Sequence, residues 1–158
     1  MSSQTPGFIL PAGRGHGQTM TVFGQTITER ITAEDSHGNY YIFDEVTPPG
    51  MGVPPHQESM EDEIVLIRAG QFEVFLNGVV SPVGPGAILN FARGSLHGFR
   101  CIGPAPGQTT WIVTPGLNGQ TFLRTLGTFP PGPPDLAQLD ALHRLHGISM
   151  APPGDPWW

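Results

Sequence analysis

Only 13 % of the 158 residues carry a formal charge, and cysteine occurs once, at Cys101. A lone thiol excludes an intrachain disulfide and says nothing further about compartment. The seven basic side chains form no cluster and the net charge is −6, which argues against nucleic acid or an anionic membrane as partner. No apolar run approaches the roughly 18 residues of a membrane span. Phe8-Ile9-Leu10 is too short for the apolar core of a signal peptide. The expectation is a soluble, cytoplasmic protein. Low-complexity tracts and internal repeats are also missing, so disorder and solenoid architectures drop out.

Glycine (22) and proline (18) are abundant instead, which suits a β-rich domain with many turns. One domain of this length buries a real core. Thr19 to Thr32 alternate β-branched and polar residues, and Tyr40 to Val46 form a further strand. Pro48 to Pro55 read as a stiff loop that breaks any ladder before His56. Glu63 to Ala69 and Gln71 to Leu76 are two strands, with Asn77-Gly78 as a hairpin signal. Ala87 to Phe91, Leu96 to Ile102 and Thr109 to Thr114 complete an all-β, antiparallel sandwich or barrel. Residues 1–18 are an N-terminal arm, 19–116 the barrel and 117–158 a C-terminal extension. Within the extension, Leu136, Leu139, Leu142 and Leu145 recur every three residues, with Asp135 as N-cap and Gly147 as stop. They predict one amphipathic helix over about 135–146, packed outside the barrel.

The chemistry concentrates in Gly50-(x5)-His56-Gln57-Glu58-(x4)-Glu63-(x6)-Gly70, answered by Gly86-(x7)-Gly94-Ser95-Leu96-His97. Residues two apart on a strand share a face, so His56 and Glu58 project together. Glu63 joins them after a short turn, and His97 arrives from another strand. Two imidazoles and two carboxylates are the donor set of a divalent metal with open positions. The set favours iron or manganese, ahead of nickel, cobalt or zinc. The plainer readings are a surface His56 and a solvated acidic turn at Glu61-Asp62-Glu63. Glu58 has two roles open to it, as ligand or as general base beside a metal held by the other three. Phe99 and Cys101 share parity with His97 and face the interior, where Phe43 and Trp111 complete a pocket wall. Cys101 reads more readily as an inert buried residue than as a nucleophile. His16, His37, His143 and His146 read as solvent-facing. Gly13-Arg14-Gly15-His16-Gly17 follows no strand and lacks a phosphate-loop lysine, so it is not a nucleotide motif.

These spacings resemble those of the small single-domain cupins, within them the quercetin-dioxygenase-like members. The first motif keeps every interval, with Glu58 standing where a second histidine is usual. The second keeps Gly86, Gly94 and His97 but has Ala92 and Cys101 at its proline and asparagine positions. The resemblance covers about residues 36–115 and implies a jelly-roll β-barrel, a metal held by His56, Glu58, Glu63 and His97, and homodimers. It also implies dioxygenase chemistry on a small organic molecule, with Glu63 doubling as proton acceptor. The low charge and apolar lining suit an aromatic or polyketide-like substrate, and Glu58 is the second candidate catalytic carboxylate. A non-oxidative isomerase, cyclase or lyase and a metal-free binding protein are the alternatives. For the dimer, the arm with Val22 and Phe23 exposed is expected to offer a strand.

Overall fold

The computed structural model describes residues 6–152. Its first five strands are β1 (Thr19–Val22), β2 (Gln25–Ile31), β3 (Tyr41–Thr47), β4 (Gly52–Glu58) and β5 (Asp62–Ala69). Then come β6 (Phe72–Leu76), β7 (Val79–Val83), β8 (Ile88–Phe91), β9 (His97–Cys101) and β10 (Gly107–Thr114). Helices α1 (Gly116–Leu126) and α2 (Leu136–Leu145) and a short β11 (Ile148–Met150) follow. The strands form two antiparallel sheets, ordered β1-β2-β3-β10-β5-β8 and β11-β4-β9-β6-β7. The all-β expectation therefore holds, and the alternating faces of the two sheets enclose the core.

That core is aromatic. Tyr41, Phe43, Phe72, Phe91, Phe99 and Trp111 are each at most 5 % exposed. Phe43 stacks on Trp111 at 5.8 Å between centroids, and Phe91 stacks on the His97 ring at 4.0 Å. Removing one such ring from a core typically costs about 3–5 kcal/mol. Two hairpins owe their tightness to left-handed turn residues. Asn77 and Gly78 have φ of 48° and 89°, and Phe23 and Gly24 have 47° and 83°, the signs a two-residue type I′ turn requires.

Two expectations fail at prolines and at the C-terminus. Residues 48–51 are the expected turn, but Gly52 to Pro55 belong to β4 rather than to a ladder-breaking loop. The strand pairs Val53 with Phe99 and His56 with His97, so three steps on β4 oppose two on β9. The extra residue is a bulge, which tolerates the missing proline donors. It also reverses the parity of β4: His56, rather than Pro55, faces inward beside His97.

The C-terminal extension holds two helices and a strand, not one helix lying outside the barrel. Phe122, Leu123 and Leu126 of α1, Leu139 and His143 of α2, and Ile148 and Met150 of β11 all line the interior cavity. Asp135 is the N-cap of α2, its carboxylate accepting from the backbone N–H of Ala137 and Gln138 at 2.9 and 3.2 Å. In the arm, His16 donates its backbone N–H to Arg30 and Gln18 accepts from Glu29, so the chain runs alongside β2. Val22 is only 5 % exposed and Phe23 41 %, so Val22 is not an exposed strand to be donated. Residues 1–5 and 153–158, the ends of the expected arm and extension, lie outside the described residues. No described helix is long and apolar enough to cross a membrane.

Candidate metal centre and cavity

Strand alternation and the β4 bulge bring four sequence-flagged side chains together. His56 and His97 are a cross-strand pair, with ring centroids 4.6 Å apart. Glu58 sits two residues from His56 on the same face, its Oε1 2.7 Å from His56 Nε2 and its Oε2 3.5 Å from His97 Nε2. Donor atoms of His56, Glu58 and His97 all lie within 4.8 Å of one another. Glu63, from β5 on the opposite sheet, reaches the group on one side, with Oε2 3.3 Å from His97 Nε2. It stands beside the three-donor set rather than inside it.

The hydrogen bonds of the imidazoles say which nitrogens are free. His56 Nδ1 lies 2.9 Å from the carbonyl of Pro54, and His97 Nδ1 3.1 Å from that of Ser95. A carbonyl only accepts, so both Nδ1 atoms carry the proton and both Nε2 atoms point inward. For His56, a neutral ring then sets a lone pair against the Glu58 carboxylate at 2.7 Å, which is repulsive unless a proton or a cation lies between. His97 Nε2 is buried and has no hydrogen-bond partner among the described residues. Backbone carbonyls fixing Nδ1 while Nε2 stays available is the arrangement of metal-ligating histidines. The residues present fit a divalent cation: two imidazoles with free Nε2 atoms and the Glu58 carboxylate form its donor set, with Glu63 beside them.

Burial raises both carboxylates of the group, and their neighbours set the two apart. Burial alone would raise Glu58, but the hydrogen bond and charge of His56, aided by His97, outweigh it and hold the carboxyl below its usual range. Glu63 is pushed well above that range by burial and then by the neighbouring charge of Glu58. Burial lowers His97 despite Glu58 and the Ser95 carbonyl.

The cluster opens on a cavity of about 370 Å³. Phe43, Phe99 and Trp111 line it, as the sequence implies; Cys101 does not. Cys101 is fully buried with its thiol 3.6 Å from the Ala105 carbonyl, deeper in the core than the cavity reaches. Of the histidines expected in solvent, His143 lines the cavity and His146 is only 6 % exposed. Burial lowers both. His146 Nδ1 is 2.8 Å from Asn118 Oδ1, whose amide donates to Glu61 at 2.9 and 3.1 Å. That chain ties α1 and the end of α2 to the metal motif. His16, by contrast, pairs with Asp35 at the surface.

Most of the remaining lining residues carry no signal of a site in the sequence. Gln25, Glu45 and Glu61 are buried polar side chains on the cavity wall, and Phe122 closes it from α1. Parity along β3, where Tyr41, Phe43 and Glu45 alternate inward, was the available signal for Glu45.

Residues 43–113 match the family described as Cupin domain. No curated protein sequence matches the chain. Among solved structures, a predicted oxalate decarboxylase from Thermotoga maritima is similar at 18 % identity and a TM-score of 0.60, over 68 % of this chain and 98 % of that one. The polyketide cyclase RemF from Streptomyces resistomycificus is similar at 20 % identity and TM-score 0.56, over 68 % and 80 %. KdgF from a Halomonas species gives 19 % identity and TM-score 0.54, over 62 % and 86 %. Likeness at such identities speaks for the fold, and the fold of this chain is the cupin jelly-roll, with a His-Glu-His cluster at its interior.

Proposed function

We propose that the protein is a metal-dependent enzyme acting on a small, neutral, largely apolar molecule, with dioxygenase-type chemistry. One observation carries the reading: His56, Glu58 and His97 converge, with Glu63 beside them, at the wall of a largely apolar cavity. A divalent ion bound there supplies Lewis acidity, and iron or manganese adds redox chemistry with dioxygen. Phe43, Val53, Phe99, Trp111, Phe122 and Leu123 exclude water and offer faces to a ring. Glu63 touches the cluster only through His97 and lines the cavity, so it is the carboxylate placed to accept a proton from a substrate hydroxyl.

A non-oxidative cyclase, isomerase or lyase is a second reading. It is favoured by the surplus of carboxylates, since Glu45 and Glu61 line the same cavity beyond the donor set. Such groups serve proton transfer rather than oxygen chemistry. Metal analysis of the purified protein tests the shared part: bound iron or manganese is expected, lost in His56→Ala and His97→Ala. Protein that neither retains nor takes up Fe²⁺ or Mn²⁺ overturns it. Oxygen uptake with a panel of enolisable polyphenols then separates the two readings, since only the dioxygenase consumes oxygen.

A further inference from the structure

The β1–β2 side of the cavity carries polar groups that the metal cluster does not use. Gln25 is 4 % exposed and lines the cavity, and its Oε1 is buried without a hydrogen-bond partner among the described residues. A buried acceptor left unpaired is costly, and a ligand donor would satisfy it. The β2–β3 register places Ile27 opposite Glu45, so Gln25 is the diagonal inner-face neighbour of Glu45, about 7–8 Å away. Glu45 is 5 % exposed and also lines the cavity. Thr47 donates to its Oε1 at 2.7 Å, and no described residue bonds Oε2. Burial, with the charge of Glu63 and against the Thr47 bond, pushes this carboxyl up to about 7. It is therefore a donor in one protonation state and an acceptor in the other.

Position and charge narrow what this pair faces. Across the sheet Glu63 is level with Val113 and Tyr41, while Glu45 lies four residues further along β3, about 13 Å in strand direction. The two polar ends thus flank an apolar span. The chain has no lysine, and none of its arginines lines the cavity. An anion would meet Glu45, Glu58, Glu61 and Glu63 with no cationic side chain to offset them. A cation would have to leave water for walls such as Val22, Ile27 and Leu126.

We propose that Gln25 and Glu45 form a hydroxyl-recognition subsite, which takes the far hydroxyl of a neutral, ring-bearing substrate whose near end reaches His56 and Glu58. The subsite rests on reading the cavity as the substrate site and names the class of molecule it takes.

The test uses the full chain, freed of metal by chelation and titrated with 2,6-dihydroxynaphthalene, its dimethyl ether and 2-(aminomethyl)naphthalene. The wild type is expected to prefer the diol over the ether by roughly tenfold or more, because the ether has no proton for Gln25. Gln25→Leu and Glu45→Met should each reduce that preference about fivefold or more, and Glu45→Gln should retain most of it. Mn²⁺ uptake, measured separately, reports that each variant is folded around the His56 cluster. A preference unchanged in Gln25→Leu, or absent in the wild type, overturns the subsite. Tighter, Glu45-dependent binding of the ammonium probe overturns its neutral class. A wild type that prefers the diol but takes up no Mn²⁺ sinks the metal reading and leaves the subsite standing.

Discussion

Glu58 is held from three directions. Its backbone carbonyl accepts from Gly94 at 2.6 Å, β11 pairs Ile148 with it, and its carboxylate meets both imidazoles. Backbone anchoring on both sides means that a substitution there changes the donor without moving the strand. Glu58→Gln keeps the volume and removes the charge, so Mn²⁺ affinity by calorimetric titration is expected to fall roughly tenfold or more. Glu58→His restores an imidazole and is expected to keep or strengthen binding. Undiminished affinity in the Gln variant shows that Glu58 is no ligand, and loss of turnover alone then makes it the base. This residue was legible because period-2 alternation ties Glu58 to His56 whatever the rest of the fold does. Glu45 and Gln25 were not. Alternation gives their inward direction, but sequence does not say that the inner face at that level is cavity rather than packed core.

Among the elements, the sequence hid α1 and β11, and α1 shows why. It carries Asn118 and Gly119 in its first turn, and the glycine weakens a helix by about 1 kcal/mol relative to alanine. Tertiary contacts supply the reason for both. Gly119 lets the helix approach β10 so closely that an added Cβ would lie 2.9 Å from Val113 Cγ1, while Asn118 joins Glu61 to His146. Polar side chains complete the docking. Gln120 accepts from the Ala33 backbone at 2.6 Å and donates to Glu34. Arg124 meets the fully buried Glu29 at 2.8 and 2.9 Å. Removing the cation strands a buried carboxylate, and Arg124, 35 % exposed, places the loss at the lower end of the buried-pair range. Arg124→Met is expected to cost about 3 kcal/mol by urea denaturation. The double variant with Glu29→Gln should recover most of it. A single-variant cost within about 0.5 kcal/mol would mark the pair as an ordinary surface bridge. The β6–β7 hairpin and most of the barrel strands, by contrast, were legible from Asn77-Gly78 and from alternation. β4 was misread because proline normally ends a ladder, and only the β9 partner shows that a bulge absorbs it.

At the scale of the whole molecule, buried carboxylates tie stability to pH in a direction opposite to that of most salt-bridged acids. Glu45 has a folded value of about 7 against 4.5 for an ordinary glutamate. Between those values the folded state binds more protons than the unfolded chain, so stability falls as pH rises from about 4.5 to about 7. Above that window both states are ionised and the whole cost, on the order of 3 kcal/mol, is present. Glu61 and Glu63, also raised by burial, act in the same direction. His97, His143 and His146, lowered by burial, oppose them, because an unfolded imidazole that holds its proton longer makes stability rise with pH. The net slope is therefore a poor reporter, and the difference between two proteins is a good one. With chelator present, urea denaturation of wild type and Glu45→Gln at pH 5 and pH 8 isolates the single group. The stability of Glu45→Gln relative to wild type is expected to improve by up to about 3 kcal/mol from the lower to the higher pH, since the amide carries no charge to bury. An equal difference at both pH values would show that the Glu45 carboxyl titrates in the ordinary range and is reached by water in the folded protein.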